Sequence, residues 1–376
     1  MDTSFRRRHA LRLMGAALAA ATFAAPALAG HDSPRRGHIF TSTNAPAGNE
    51  VLVYEQQDSG APSLETRVAT AGVGTGAGLG SQGAVTLSHN GRWLFVVNAG
   101  SNSVSTFALG PHGIVRSSTV DSGGLMPTSV TERDGLVYVL NAGGSGNVAG
   151  FRNRQGTLEP LDDGVRPLSA AGGTAPAQVG FNREGDVLVV TERNTNLLIS
   201  YPVGPQGRLG APVSTPSGNA TPFGFAFTRR DTLVVSEAAG GAALASTVSS
   251  YRFDERAPAR AIGVSLAVPT QQTAACWVAV TPDGRYAYAS NAGSNSVSSF
   301  FVARTGKLTR LQSVAGSTGP NGGALDAAVS GDGQQLHVVA SKALQIASFE
   351  IDDDGSLRPL GAAGGLPVGA AGLAAN

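Results

Sequence analysis

The chain has 376 residues, with 27 Lys+Arg against 26 Asp+Glu, and a balance this even gives no electrostatic reason for nucleic acid or anionic membrane as a partner. Glycine is abundant at 51 residues and aromatics make up only 6%, which favours a turn-rich fold of short elements over long helices. One cysteine, Cys276, excludes any disulfide within the chain.

Residues 1–29 read as a targeting segment. Arg6-Arg7-Arg8 precede an Ala/Leu-rich stretch, and Ala27-Leu28-Ala29 makes a small-residue cleavage site before Gly30. The apolar run is short and Pro26 interrupts it, so a signal peptide fits better than a membrane anchor. Arg7-Arg8 with Leu11 also resembles a twin-arginine export signal, and an ordinary secretory signal fits equally. Losing the four Arg and one Asp of 1–29 leaves 23 basic against 25 acidic residues in the mature chain. The expected organisation is this signal followed by one domain over 30–376 in the periplasm or outside the cell, with no membrane span in the mature chain.

Three strand-like runs come next: HIFTSTN (38–44), EVLVYEQ (50–56) and LETRVAT (64–70). After them the chain repeats itself. NAGSNSVSTF (98–107) returns as NAGSNSVSSF (291–300), and each copy follows an Asn-Gly or Asp-Gly turn and an apolar run. Looser copies occupy 130–151, 181–201, 227–253 and 329–351. The turns at Gly91, Gly135, Gly185, Arg230-Asp231, Gly284 and Gly333 fall about 50 residues apart, a period that suits four short strands, one propeller blade. The tight turn needs positive φ, which Gly supplies. Runs such as Trp93–Val97 are apolar without alternation, as strands covered on both faces between blades should be.

The count of strands predicts how the ring closes. The first three runs match strands two to four of a blade whose inner strand is missing, and the tail GGLPVGAAGLAA (364–375) is a spare segment. The expected fold is therefore all-β: a seven-bladed β-propeller of four-stranded blades, closed by a C-terminal inner strand joining the N-terminal blade.

In this topology the second strands end at Asn98, Asn141, Glu192, Glu237 and Asn291, on one rim of the central channel, with Asn44 equivalent in the closing blade. Asn before Ala-Gly or Gly-Gly serves well as a turn residue. Glu192 and Glu237 stand out because adjacent blades place carboxylates where others use Asn. Such a pair could act as acid and base, or with Asn141 and Asn291 hold Ca²⁺; alternatively Glu192 pairs with Arg193 and Glu237 is solvated. His31, His38, His89, His112 and His337 are not placed to build a Ser-His-Asp triad or a His-rich metal site with them. His337 reads as packed mid-strand, and Cys276 as a buried thiol. GVGTGAGLG (72–80) joins strands rather than opening a helix, so it reads as a linker and not a phosphate loop.

Hairpins such as DGRYAYASNAGSNSVSSF (283–300) and the endings GTLEPL, GKLTRL and GSLRPL resemble the seven-bladed lactonase propellers, which include 6-phosphogluconolactonase and carboxymuconate cyclases, and also YVTN-type repeats. The resemblance implies an exported lactonase-like hydrolase or cyclase acting at the channel mouth. Glu192 stands where the family places a Glu, while Ala177-Gln178 stand where it has Arg-His, and Gly83-Ala84 and Asn98 replace another His and an Asp. On that reading Glu192 is a general base, Glu237 its acid/base partner, and Arg193 orients an anionic group. The competing reading is a non-catalytic propeller that binds a small molecule, polysaccharide or protein there, using the longer loop 237–246 of the fifth blade. No cofactor is specified by the sequence.

Overall fold

The structure, a computed structural model, describes residues 37–376 apart from 112, 171 and 255. The expected signal segment 1–29, His31 and His112 therefore lie outside the described residues. Among the described residues, twenty-eight strands form seven four-stranded antiparallel sheets arranged in a ring. Blade one contains β1 (His38–Ser42), β2 (Glu50–Glu55) and β3 (Ser63–Ala69). Its inner strand is the last of the chain, β28 (Ala371–Ala375), paired Ile39 to Ala375 and Ser42 to Ala371. The closure expected from the spare tail is thus the one observed.

Blades two to seven run inside to outside in chain order. Their inner strands are β4 (Val85–Leu87), β8 (Pro127–Arg133), β12 (Pro176–Phe181), β16 (Pro222–Phe227), β20 (Ala275–Val280) and β24 (Ala324–Val329). The second strands end where the sequence placed them, at Asn98, Asn141, Glu192, Glu237 and Asn291. These strands are buried on both faces because each packs against two neighbouring blades. Between blades three and four, for example, Tyr138, Leu140 and Val148 meet Val179, Leu188 and Val190.

The repeated Asn-rich phrase has a structural meaning. Its first Asn receives the linker arriving from the preceding blade. Asn98 Oδ1 accepts from Thr70 Oγ1 at 2.7 Å and Asn49 Nδ2 at 3.0 Å, while its Nδ2 donates to Ser103 and Ser105. The second Asn secures the linker that leaves for the next blade. Asn102, Asn196 and Asn295 all adopt positive φ, and their side chains accept the N–H of Met126, Thr221 and Gly323, each residue just ahead of the next inner strand. Asn tolerates this backbone and offers the acceptor, so one residue type serves both needs.

A bulge near the start of several inner strands leaves a backbone N–H facing the preceding blade. The third residue of the preceding inner strand meets it. Ser129 Oγ accepts from Val179 N–H at 3.2 Å, and the Gln178 amide both accepts from Phe225 N–H at 2.6 Å and donates to Phe225 O at 3.0 Å. Asp326 accepts from Gly372 N–H across the closing seam. Buried backbone polar groups must be paired, and these side chains pair them around the ring.

Candidate functional site at the channel mouth

The upper face of the ring, where the second strands end, gathers the predicted residues, but not as an open carboxylate pair. Glu192 is fully buried: Ser169 N–H donates to Oε1 at 2.9 Å, Thr195 Oγ1 to Oε2 at 2.7 Å, and the Ser169 hydroxyl binds Oε2 as well. Glu237 is equally buried, accepting from Ser217 Oγ at 2.9 Å and from the Thr247 hydroxyl. Burial pushes the Glu237 carboxyl above the usual range, opposed by these hydroxyls and the Asn219 N–H. Each carboxylate sits in its own junction and does the work of Asn98, receiving the linker from the preceding blade. Ser169 and Ser217 occupy the place of Thr70.

Asn141 and Asn291 lie in the same setting, with Nδ2 donating and Oδ1 unpartnered. No group of three or more His, Cys, Asp or Glu able to hold a metal occurs among the described residues.

Arg193, the next residue after Glu192, is the predicted group that does reach the mouth. It does not pair with Glu192. Its Nε donates to Ala175 O at 3.0 Å, and its guanidinium carbon lies 5.2 Å from the centroid of the Phe223 ring. Phe223 in turn packs on Trp277, with centroids 5.0 Å apart. Burial lowers the Arg193 pKa, and the Cys276 thiol opposes that shift. No carboxylate pairs with this guanidinium among the described residues. Among the described residues the Arg193 guanidinium is thus a partly buried cation beside the Phe223 ring with no carboxylate partner.

Below it, Cys276 is 7% exposed and burial lifts its thiol to about 12, so the expectation of an inert packed thiol agrees with its setting. His337 is fully buried mid-strand, as expected, with Nδ1 2.8 Å from Ser348 Oγ.

Three residues of the mouth escaped the sequence reading: Phe223, Trp277 and Gln82. The linker 72–84 is not a slack connection. Asn44 ties its first half through Thr75 N–H and Ala77 O, and its last residues cross the channel. Trp277 Nε1 donates to Ser81 O at 2.9 Å, Ser81 Oγ donates to Thr128 O, and Gln82 N–H donates to Ala177 O. Residues 81–82 thus touch the inner strands of blades three, four and six.

A ring of seven four-stranded blades defines the class as a seven-bladed β-propeller. The family model described as Lactonase, 7-bladed beta-propeller, matches residues 242–371, which span the outer half of blade five and blades six and seven, up to the first residue of the closing strand. Among solved structures, the chain is similar to a candidate 6-phosphogluconolactonase of Bacteroides fragilis at 17% identity and TM-score 0.68, covering 92% of this chain and 99% of that one. The periplasmic gluconolactonase PpgL of Pseudomonas aeruginosa is similar at 19% identity and TM-score 0.68, with coverage of 89% and 98%. A hypothetical selenium-binding protein of Sulfolobus tokodaii follows the same fold at 11% identity and TM-score 0.62, covering 87% and 90%. At these identities the likeness is one of fold. No curated protein matches the chain. The resemblance drawn from the repeats holds, and no helix among the described residues is long and apolar enough to cross a membrane.

Proposed function

We propose that this propeller receives an anionic small molecule of the sugar-acid class, an aldonate or its lactone, at the channel mouth through Arg193. The observation that carries the reading is the partly buried guanidinium without a carboxylate partner. Arg presents a planar fork suited to a carboxylate, and a cation held away from water gains most from an incoming anion. The Phe223 ring, 5.2 Å from the guanidinium carbon, adds a cation–π contact. The gluconolactonase among the structural neighbours supports the choice of ligand class. Export by residues 1–29 belongs to the same proposal, and replacing Arg7-Arg8 by Lys-Lys blocks it only if the route is the twin-arginine one.

A catalytic form of this reading keeps Arg193 as the orienting group and uses Glu192 as general base with Glu237 as its partner. It requires each carboxylate to leave the hydroxyls that hold it. Calorimetry with gluconate and a lactone-hydrolysis assay, with and without chelator, separate the cases. Arg193→Gln is expected to abolish gluconate binding while lowering the melting temperature by only a few degrees, because the variant gives up one hydrogen bond, to Ala175 O, and the Phe223 contact. Wild-type protein that binds no member of a sugar-acid panel refutes the proposal. Turnover lost in Glu192→Gln supports catalysis, turnover abolished by chelator supports the Ca²⁺ rim, and binding without turnover leaves a binding propeller.

A further inference from the structure

The third residue of the inner strand clasps the next blade in blades three, four and seven, through Ser129, Gln178 and Asp326. Blade five cannot do this, because its third residue is Gly224. The N–H of Val278 in blade six would then face the channel alone. Gln82 fills the gap from across the ring: its Oε1 accepts from Val278 N–H at 3.0 Å and its Nε2 donates to Val278 O at 2.8 Å. Its amide oxygen occupies the space where a Gly224 side chain would stand. The same two-bond amide clasp joins Gln178 to Phe225, so Gln82 does for blade six, from a distance, what a neighbour does elsewhere. Two residues earlier, Gly80 has φ +60, and a Cβ there would come within 3.2 Å of Arg193 Nη1.

We propose that Gln82 is the positioning residue of the mouth. Its clasp on blade six keeps residues 79–83 across the channel as a stopper, which makes the mouth a blind site and backs the Arg193 guanidinium so that it faces the opening. The second half of this statement rests on the reading of Arg193 as an anion receptor; the stopper itself does not.

The only thiol of the chain reports on the stopper without any ligand. Cys276 lies in the strand that Gln82 clasps, directly before Trp277, whose indole holds Ser81. Labelling of the folded protein with dithiodipyridine is expected to be slow in wild type. In Gln82→Ala, which loses both bonds of the clasp, it is expected to be about tenfold faster or more, since local opening sets the rate. Gln82→Glu supplies the decisive control. A neutral carboxyl has one donor and one acceptor, like the amide, so near pH 4, below the ordinary Glu value, this variant should label at the rate wild type shows at the same pH. Near pH 8 the ionised group repels Val278 O, and labelling should approach that of Gln82→Ala.

Labelling of Gln82→Ala within twofold of wild type, or a Gln82→Glu rate with the same pH course as wild type, overturns the stopper. If Gln82→Ala does not fold, the pH profile of Gln82→Glu carries the test alone. Gluconate binding weakened in Gln82→Ala supports the positioning role, and binding unchanged while the thiol opens overturns it. A wild type that never binds gluconate defeats the reading of the mouth and leaves the stopper to be judged by the thiol.

Discussion

Asp326 is the titratable group whose setting has the clearest consequence. It lies on the inner strand of blade seven, 4% exposed, with the Gly372 N–H of the closing strand as a partner. Loss of hydration on burial raises its pKa from 3.8 to about 7, and the Gly372 hydrogen bond opposes this only in part. Because the folded-state value is raised, the group's contribution is fully present below about pH 4 and is lost as pH rises through about 7. A displacement of about three pH units corresponds to about 4 kcal/mol at alkaline pH. Asp326→Asn removes the charge and keeps an oxygen for Gly372 N–H, but brings an NH₂ that needs partners, at a cost of about 1–3 kcal/mol. The variant is therefore expected to gain about 1–3 kcal/mol near pH 9 and to be no more stable than wild type near pH 4. Urea unfolding followed by fluorescence across that range measures the difference. Stability curves that run parallel from pH 4 to pH 9 would refute the reasoning, since an ionisation shared equally by folded and unfolded chains has no such slope.

His337 should show the opposite limb. Burial lowers its pKa to about 4, so its contribution is present above about pH 6.5 and is lost as pH falls towards 4; His337→Gln should flatten that acid limb by about 3 kcal/mol in the same urea series. Asn98→Ala, which removes an amide with four partners, should destabilise by roughly 2–4 kcal/mol, and Asn291→Ala by less, because Asn291 Oδ1 has no partner to lose; chemical denaturation of the two side by side checks the order. Removing residues 371–376 should abolish the single cooperative transition and make blade one sensitive to limited proteolysis, as β1 then loses its inner neighbour.

The ring and its closure were legible because both follow from local patterns: a turn glycine, an apolar run, an Asn-rich return, and a tail with no blade of its own. The ends of the second strands were legible for the same reason. What Glu192 and Glu237 touch was not. Their hydroxyl partners Ser169 and Ser217 belong to the linkers of preceding blades, and Ser and Thr are too common in linkers to mark themselves out. Gln82 was illegible for a stronger reason: its partner Val278 is 196 positions away and is met through backbone atoms, which carry no residue code. The trace in sequence was a negative one, the glycine at position 224 where other inner strands carry Ser129, Gln178, Trp277 or Asp326.

The seam between blades seven and one has a consequence for the order in which this protein becomes whole. The strand His38–Ser42 is made long before Ala371–Ala375 and must wait with one edge unzipped until that partner emerges. Asp326 spans that same joint, while His337 shares a strand face with Gln335, which donates to Gln57 O of blade one. This joint between strands far apart in sequence is thus also the one where a proton gained or lost would be felt, so acid and alkali should both begin to undo the circle at its seam.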